Sequence, residues 1–267
     1  MLGGMADAWS SGDAYEPYVG RWSRKLAPKF LAWAGVGQGA GVLDVGCGTG
    51  ALSEAALAAG AREVVGVDPS AAYVAHAAAH VGGKNPSARF EVADAQALPF
   101  PDASFDAVVS GLVLNFVPDP SRAAAEMRRA ARPGGVVAAY VWDYAGRMEL
   151  MRHFWDAAVA LDPHRAGPLD EGVRFPLCQP GPLEALFRGA GLREVASTAI
   201  DQPTVFRDFN DYWRPFLGGQ APAPGYCMSL SEEARARLRE RIRSHLPVAA
   251  DGSIALIARA WAVRGRA

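Results

Sequence analysis

Apolar positions in this chain gather into short dense runs, and the stretches between them carry hydrophobic residues at helical spacing. The run opening at Val42, VVGVD at 64–68, ARFEVAD at 88–94, FDAVVSGLVLNF at 105–116 and VVAAYVW at 136–142 are each predicted to be a buried strand. Helices are predicted between them. Ala51 to Ala59 is alanine-rich, and Pro69 with Ser70 opens a helix running to about Val81. Ser121 caps a further helix to Ala131, which Arg132-Pro133-Gly134-Gly135 breaks. Ahead of the first strand, Tyr15, Tyr18, Val19 and Trp22 lie on one side of a helix reaching Trp33. Buried strands alternating with helices predict a parallel, doubly wound α/β sheet with helices on both faces.

After Trp142 the regularity fades. Residues 147–161 read as a helix, 162–182 as a proline-rich loop, 182–190 as a short helix ending at Gly191, and LREVASTAI as a strand. Amphipathic helices are predicted at 207–217 and 231–246, separated by LGGQAPAPGY, and SIALIARAWAVRG alternates as a terminal strand does. No linker splits the chain. The expected organisation is an N-terminal lid helix region over 1–34 and a sheet domain over 35–267. Insertions at about 143–182 and 207–248 would cover the sheet's ligand edge.

Composition narrows the function classes. Half the residues are hydrophobic and the net charge is −1, an ordinary globular balance with no electrostatic footprint for nucleic acid. No apolar run approaches the ~20 residues of a membrane span, and no signal peptide opens the chain, so the expectation is a cytoplasmic protein. Cys47, Cys178 and Cys227 are odd in number and unpatterned, which argues against a disulfide framework or a zinc site. His76 and His80 stand four apart on a predicted helix without a third ligand, so ordinary packing is expected there and no metal. The alternating arginines from Arg235 to Arg243 read as a solvated face. Nothing specifies an oligomeric state.

Candidate chemistry concentrates in VLDVGCGTG at 42–50. Gly46, Gly48 and Gly50 follow a strand that carries Asp44, and glycine lets the backbone pass close to a ligand at a helix N-terminus. Cys47, between two of them, reads as a small residue filling a tight turn, since no basic group flanks it to activate the thiol. Asp68 ends the second strand, twenty-two residues after Gly46, where a carboxylate can accept both hydroxyls of a ribose. Asp94 ends the third, where a carboxylate can take an adenine amine and the next amide, Ala95, a ring nitrogen. A nicotinamide loop prefers G-x-G-x-x-G, but the third glycine position here is Ala51, and no basic residue lies within 42–61. Asp44 could also cap the following turn, and Asp68 the helix that Pro69 opens, alongside a ligand role.

VLDVGCGTG, VVGVDPS, VADAQALPFPDASFDAVVSGLVLNFVPDP and RPGGVV, in that order over residues 40–142, resemble the class I S-adenosylmethionine-dependent methyltransferases. The similarity is greatest to the small-molecule branch that includes ubiquinone and menaquinone methyltransferases. The resemblance implies a Rossmann-like, mostly parallel seven-stranded sheet with an antiparallel terminal strand and a helical lid. It implies S-adenosylmethionine as cofactor. Gly46, Cys47, Gly48 and Gly50 would pass close to it, Asp44 would orient its ammonium end, and Asp68 with Pro69 would form the ribose segment. Asp94 and Ala95 would read adenine, and backbone from Ser110 to Leu112 would line the methionine portion.

YEPYVGRWS resembles the branch's lid helix, from which Tyr18 and Arg21 could reach the methionine carboxylate. The implied reaction is direct displacement at the sulfonium methyl group, with the protein aligning a small-molecule acceptor. Trp142, Tyr144, His153, Phe154, Trp155, Tyr212, Trp213, Phe216 and Tyr226 suggest an acceptor pocket, or else the insertion's core. Asp143, His153 and Tyr226 are candidate bases, and no catalytic residue is assigned. Three other readings stay open: a non-catalytic binder of the cofactor, an enzyme using it for other chemistry, and a nicotinamide oxidoreductase.

Overall fold

The computed structural model describes residues 16–219 and 221–267; the expected helical residue Tyr15 lies outside them. A π-helical turn, Glu16–Gly20, leads into α1 (Arg21–Ala34). There follow β1 (Gly41–Val45), α2 (Ala51–Ala58), β2 (Glu63–Asp68), α3 (Ala71–His80), β3 (Ala88–Val92), β4 (Phe105–Gly111), α4 (Pro120–Ala130) and β5 (Ala131–Trp142). The second half holds α5 (Glu149–Leu161), α6 (Pro163–Ala166), α7 (Glu171–Arg174), α8 (Pro180–Gly189), β6 (Arg193–Phe206), α9 (Phe209–Trp213), α10 (Pro222–Ser229), α11 (Glu232–His245) and β7 (Ile254–Arg266). Among the described residues no helix is long and apolar enough to cross a membrane.

The seven strands form one sheet in the order β3-β2-β1-β4-β5-β7-β6. β1 pairs in parallel with β2 on one side and β4 on the other, and β2–β3 and β4–β5 are parallel too. β7 runs the other way. Gly134 donates to the Ala267 carbonyl and Ala267 to Gly135, while Asp143 farther along the chain donates to Arg259, which is an antiparallel register. This is the doubly wound sheet that the alternation of strands and helices predicts, with the antiparallel terminal strand that the family resemblance implies. The order reverses at β1, so the crevice beyond the C-terminal ends of β1 and β4 is where such a sheet takes a ligand. Every residue of β1 is buried, which explains its unbroken apolar run around Asp44.

The chain divides into two compact units, with β5, β6 and β7 contributing residues to both. One holds residues 23–141, 177–200 and 260–267. There α1 buries Leu26, Phe30 and Leu31, and the Phe30 ring tilts against Tyr140 at 4.6 Å. The other holds residues 16–22, 142–176 and 201–259, with an aromatic core. Phe154 stacks on Phe216 at 4.6 Å, Tyr212 donates its hydroxyl to the Leu150 carbonyl at 2.8 Å, and the Arg152 guanidinium grips both oxygens of buried Asp170 at 2.8 and 2.9 Å.

Several sequence expectations need correction. Asp119, not Ser121, caps α4: its carboxylate accepts from the Arg122 amide at 3.0 Å, because Pro120 takes the first helical position. The fourth strand stops at Gly111, where Leu112 turns the chain with φ 65°. The proline-rich stretch 162–182 winds into α6, α7 and the start of α8, with Pro163 and Pro180 each starting a helix. LGGQAPAPGY likewise contains the start of α10 at Pro222. The helix expected over 207–217 is the short α9 followed by a 3₁₀ turn, Arg214–Gly218, around Pro215, which lacks an amide donor.

Candidate functional site

The loop after β1 is built by three glycines in the left-handed region, Gly46 at φ 75°, Gly48 at 50° and Gly50 at 85°. Gly46 and Cys47 amides both donate to the Val67 carbonyl, at 2.7 and 2.9 Å, which ties the loop to β2. The three positions differ in what surrounds them. A Cβ on Gly46 would stand 2.3 Å from a Val113 methyl, and one on Gly50 would stand 2.9 Å from Val81. A Cβ on Gly48 would meet nothing within 4 Å. The fold's own packing needs the outer two glycines, while the middle one borders open space.

Two carboxylates flank the loop. Asp44 is buried in β1, where its Oδ2 accepts from Ser53 Oγ at 2.6 Å and its Oδ1, also buried, has no hydrogen-bond partner. Burial pushes its carboxyl up to about 7, against the Ser53 hydrogen bond and with the nearby Asp68 charge adding to the rise. Asp68 accepts from the Ser70 amide at 2.9 Å and from the Gly48 amide at 3.1 Å. Burial raises it as well, and those two amides oppose the rise. Neither caps a helix: Asp44 reaches into α2 through Ser53, and Ser70 caps α3. Pro69 is exposed between them in the chain.

The remaining strand ends lie close by. The Ala93 amide donates to the Asp68 carbonyl at 3.2 Å, which brings the end of β3 to β2. Asp94 is exposed and accepts from the Gln96 amide at 2.9 Å, a bond that holds its carboxyl below the usual range. Ala95 is buried beside it. Ser110 donates its hydroxyl to the Val45 carbonyl at 2.8 Å, so its side chain serves the β1–β4 pairing. Leu112 donates its amide to Tyr140 at 2.7 Å. Burial drives the Cys47 thiol far up, with Asp44 and Asp68 adding to it, and leaves it unreactive.

Three contributors were not singled out from the sequence. Ser53 orients Asp44; its only signal is its place three residues into the glycine-loop helix. Val113 packs over Gly46 without any sequence signal. Arg24, one turn after Arg21 in α1, brings Nη2 within 3.3 Å of Thr49 in the loop and pairs with Glu54 at 2.9 Å.

Tyr18 and Arg21 belong to the aromatic unit. Arg21 donates to Asp211 at 3.1 Å, and its guanidinium lies over the Trp22 and Phe206 rings at 4.5 and 4.9 Å. Its Nε and Nη2 and the Tyr18 hydroxyl are buried without a hydrogen-bond partner. Burial raises Tyr18, with the Glu171 charge adding to it. Phe154, Trp155, Tyr212 and Phe216 are fully buried against one another, so these aromatics form a packed core.

Of the candidate bases, Asp143 is spent on the Arg147 amide at 2.9 Å, and burial lowers His153 and raises Tyr226. Tyr226 lines a cleft of about 280 Å³ with Leu161, Asp162, Arg165, Leu230 and Arg237. His76 and His80 stack ring on ring at 4.0 Å.

The comparisons with known proteins address the loop and its flanking strands. Residues 43–139 match the family described as a methyltransferase domain. An uncharacterized protein of Mycobacterium tuberculosis is 36% identical over 138 residues, 52% of this chain and 50% of that protein. The ubiquinone/menaquinone biosynthesis C-methyltransferase of Geobacter sulfurreducens is 39% identical over 119 residues, 43% of this chain and 45% of that one. The chain thus matches about half the length of these curated relatives. The structure of phosphoethanolamine N-methyltransferase 2 of Haemonchus contortus in complex with S-adenosyl-L-methionine superposes with a TM-score of 0.57 at 18% identity. That superposition covers 90% of this chain and 52% of the other, and it shows a shared fold. Over residues 43–139 the chain is thus similar to the methyltransferase domain family, and that match covers less than half of its length.

Proposed function

We propose that this chain binds S-adenosylmethionine at the loop after β1 and catalyses methyl transfer to a small-molecule acceptor. One observation carries the reading: Asp44 Oδ1, buried and without a partner among the described residues, lies in β1 just before a loop whose middle glycine borders open space. A buried acceptor without a donor is costly, and a ligand bearing an ammonium group relieves it. The residues fit that ligand. Asp68 uses one bond on each oxygen and has lone pairs left for two ribose hydroxyls. In this reading Asp94 and Ala95 would read adenine, and Pro69, Ser110 and Leu112 would line the cofactor.

Tyr18 and Arg21 keep buried donors of a kind suited to a carboxylate. The cofactor supplies an activated methyl group when bound. This chain's residues orient it, exclude water and hold the acceptor in line. The Geobacter relative's name, that of a quinone-pathway enzyme, supports a small acceptor. The same reading includes a cytoplasmic location. Isothermal titration with S-adenosylmethionine and with S-adenosylhomocysteine tests it: saturable binding of both is expected, and no heat with either would overturn the assignment. Mass analysis of products then separates methyl transfer from binding alone.

A further inference from the structure

Asp44 is a carboxyl group in an unusual setting. Only 1% of its surface is exposed, a single neutral residue, Ser53, donates to one oxygen, and among the described residues none hydrogen-bonds the other. The titratable groups that face it are Asp68 from the end of β2, whose charge opposes a second anion, and Cys47 from the loop, whose thiol stays neutral. From α2 it meets only the uncharged Ser53, and among the described residues no cation pairs with it. Removing a carboxylate from water without a countercharge disfavours its ionised form.

We infer that Asp44 holds a proton in the ligand-free protein and releases it when the ammonium group of the cofactor's amino-acid end arrives, so that capture exchanges a proton for a cation. The inference rests on the cofactor reading above. The balance is simple. The Asp44 O–H bond breaks, its proton passes to the buffer, and the carboxylate left behind pairs with an ammonium that keeps all its protons. Asp44 thereby acts as a specificity residue: only a ligand with a cationic end draws out the proton.

The carboxyl's rise to about 7 sets the pH window. Ligand binding lowers that value, so affinity falls as pH falls, by about tenfold between pH 8 and pH 6. The experiment is titration calorimetry of S-adenosylhomocysteine at pH 6.5 in two buffers of different ionisation enthalpy. More than half a proton should be released per site, on the order of the fraction protonated beforehand, and release should fade by pH 8.5. 5′-Methylthioadenosine, which lacks the amino-acid end, should bind without release, and Asp44→Asn should bind S-adenosylhomocysteine with equal heats in both buffers.

Binding of S-adenosylhomocysteine without proton release overturns the inference and leaves the cofactor reading standing. Release that persists in Asp44→Asn assigns the proton to another group and overturns it too. Absence of binding defeats the cofactor reading itself. Where Asp44→Asn fails to fold by circular dichroism, the contrast between the two ligands on the wild-type protein decides.

Discussion

The Gly48 amide donates to Asp68 Oδ2 at 3.1 Å, so the carboxylate that closes β2 also fixes the middle of the loop that follows β1. The side chain proposed to hold a ribose is thus part of the loop's own scaffold. Asp68→Ala should weaken binding of S-adenosylhomocysteine by about 1.5–3 kcal/mol, the scale for hydrogen bonds to a charged group. Calorimetry checks this, and wild-type affinity in the variant would remove the ribose assignment.

The glycines separate packing from ligand space. Gly46→Ala forces a Cβ against Val113 at φ 75° and should destabilise the fold by about 2–4 kcal/mol, from overpacking and left-handed strain together. Gly48→Ala carries only the strain, roughly 1–2 kcal/mol, because its Cβ meets open space. Urea unfolding should rank them in that order. Gly48→Val should retain the fold and lose cofactor binding, and full affinity in that variant would place the ligand elsewhere.

Arg152→Met tests the aromatic unit. It removes both bonds to Asp170 and the 3.1 Å contact to the Tyr144 carbonyl, leaving a buried carboxylate without its cation. The expected loss is about 3–5 kcal/mol. A change below about 1 kcal/mol in denaturant unfolding would mean that solvent reaches Asp170 more freely than its burial implies.

Asp44 also makes a prediction about pH and stability. Its carboxyl is raised from 3.8 to about 7 on folding, so the folded state holds a proton that the unfolded chain gives up. The stability this contributes is fully present below about pH 4 and is lost as pH rises toward 7. Asp44→Asn, which cannot ionise, should therefore exceed the wild-type protein in Tm at pH 8 without ligand and lose that advantage at pH 5. Equal gaps at both pH values would exclude this origin.

What the sequence made legible follows from periodicity. Dense apolar runs mark the buried strands, so Asp44, Asp68 and the glycine loop could be placed on or just after them, whereas Ser110 entered only through the family resemblance. Contacts between distant segments could not be found that way. Arg24 against Thr49 depends on how α1 is carried to the loop, and Val113 over Gly46 depends on a turn at Leu112, a residue type that gives no hint of positive φ. Prolines misled in a specific manner. Read as breakers, they hid α6 and α10, where each occupies the first helical turn and costs no hydrogen bond.

Cys47 and Cys178 are buried in the sheet-bearing unit and Cys227 in the aromatic one, where burial lifts its thiol to about 11. Native protein should therefore be nearly silent toward alkylating reagents, and each thiol should react only when its surroundings open. The chain carries its own clocks. Site-resolved mass spectrometry of alkylation over time would report the opening of each unit separately, with no engineered label, and would show which one a ligand slows.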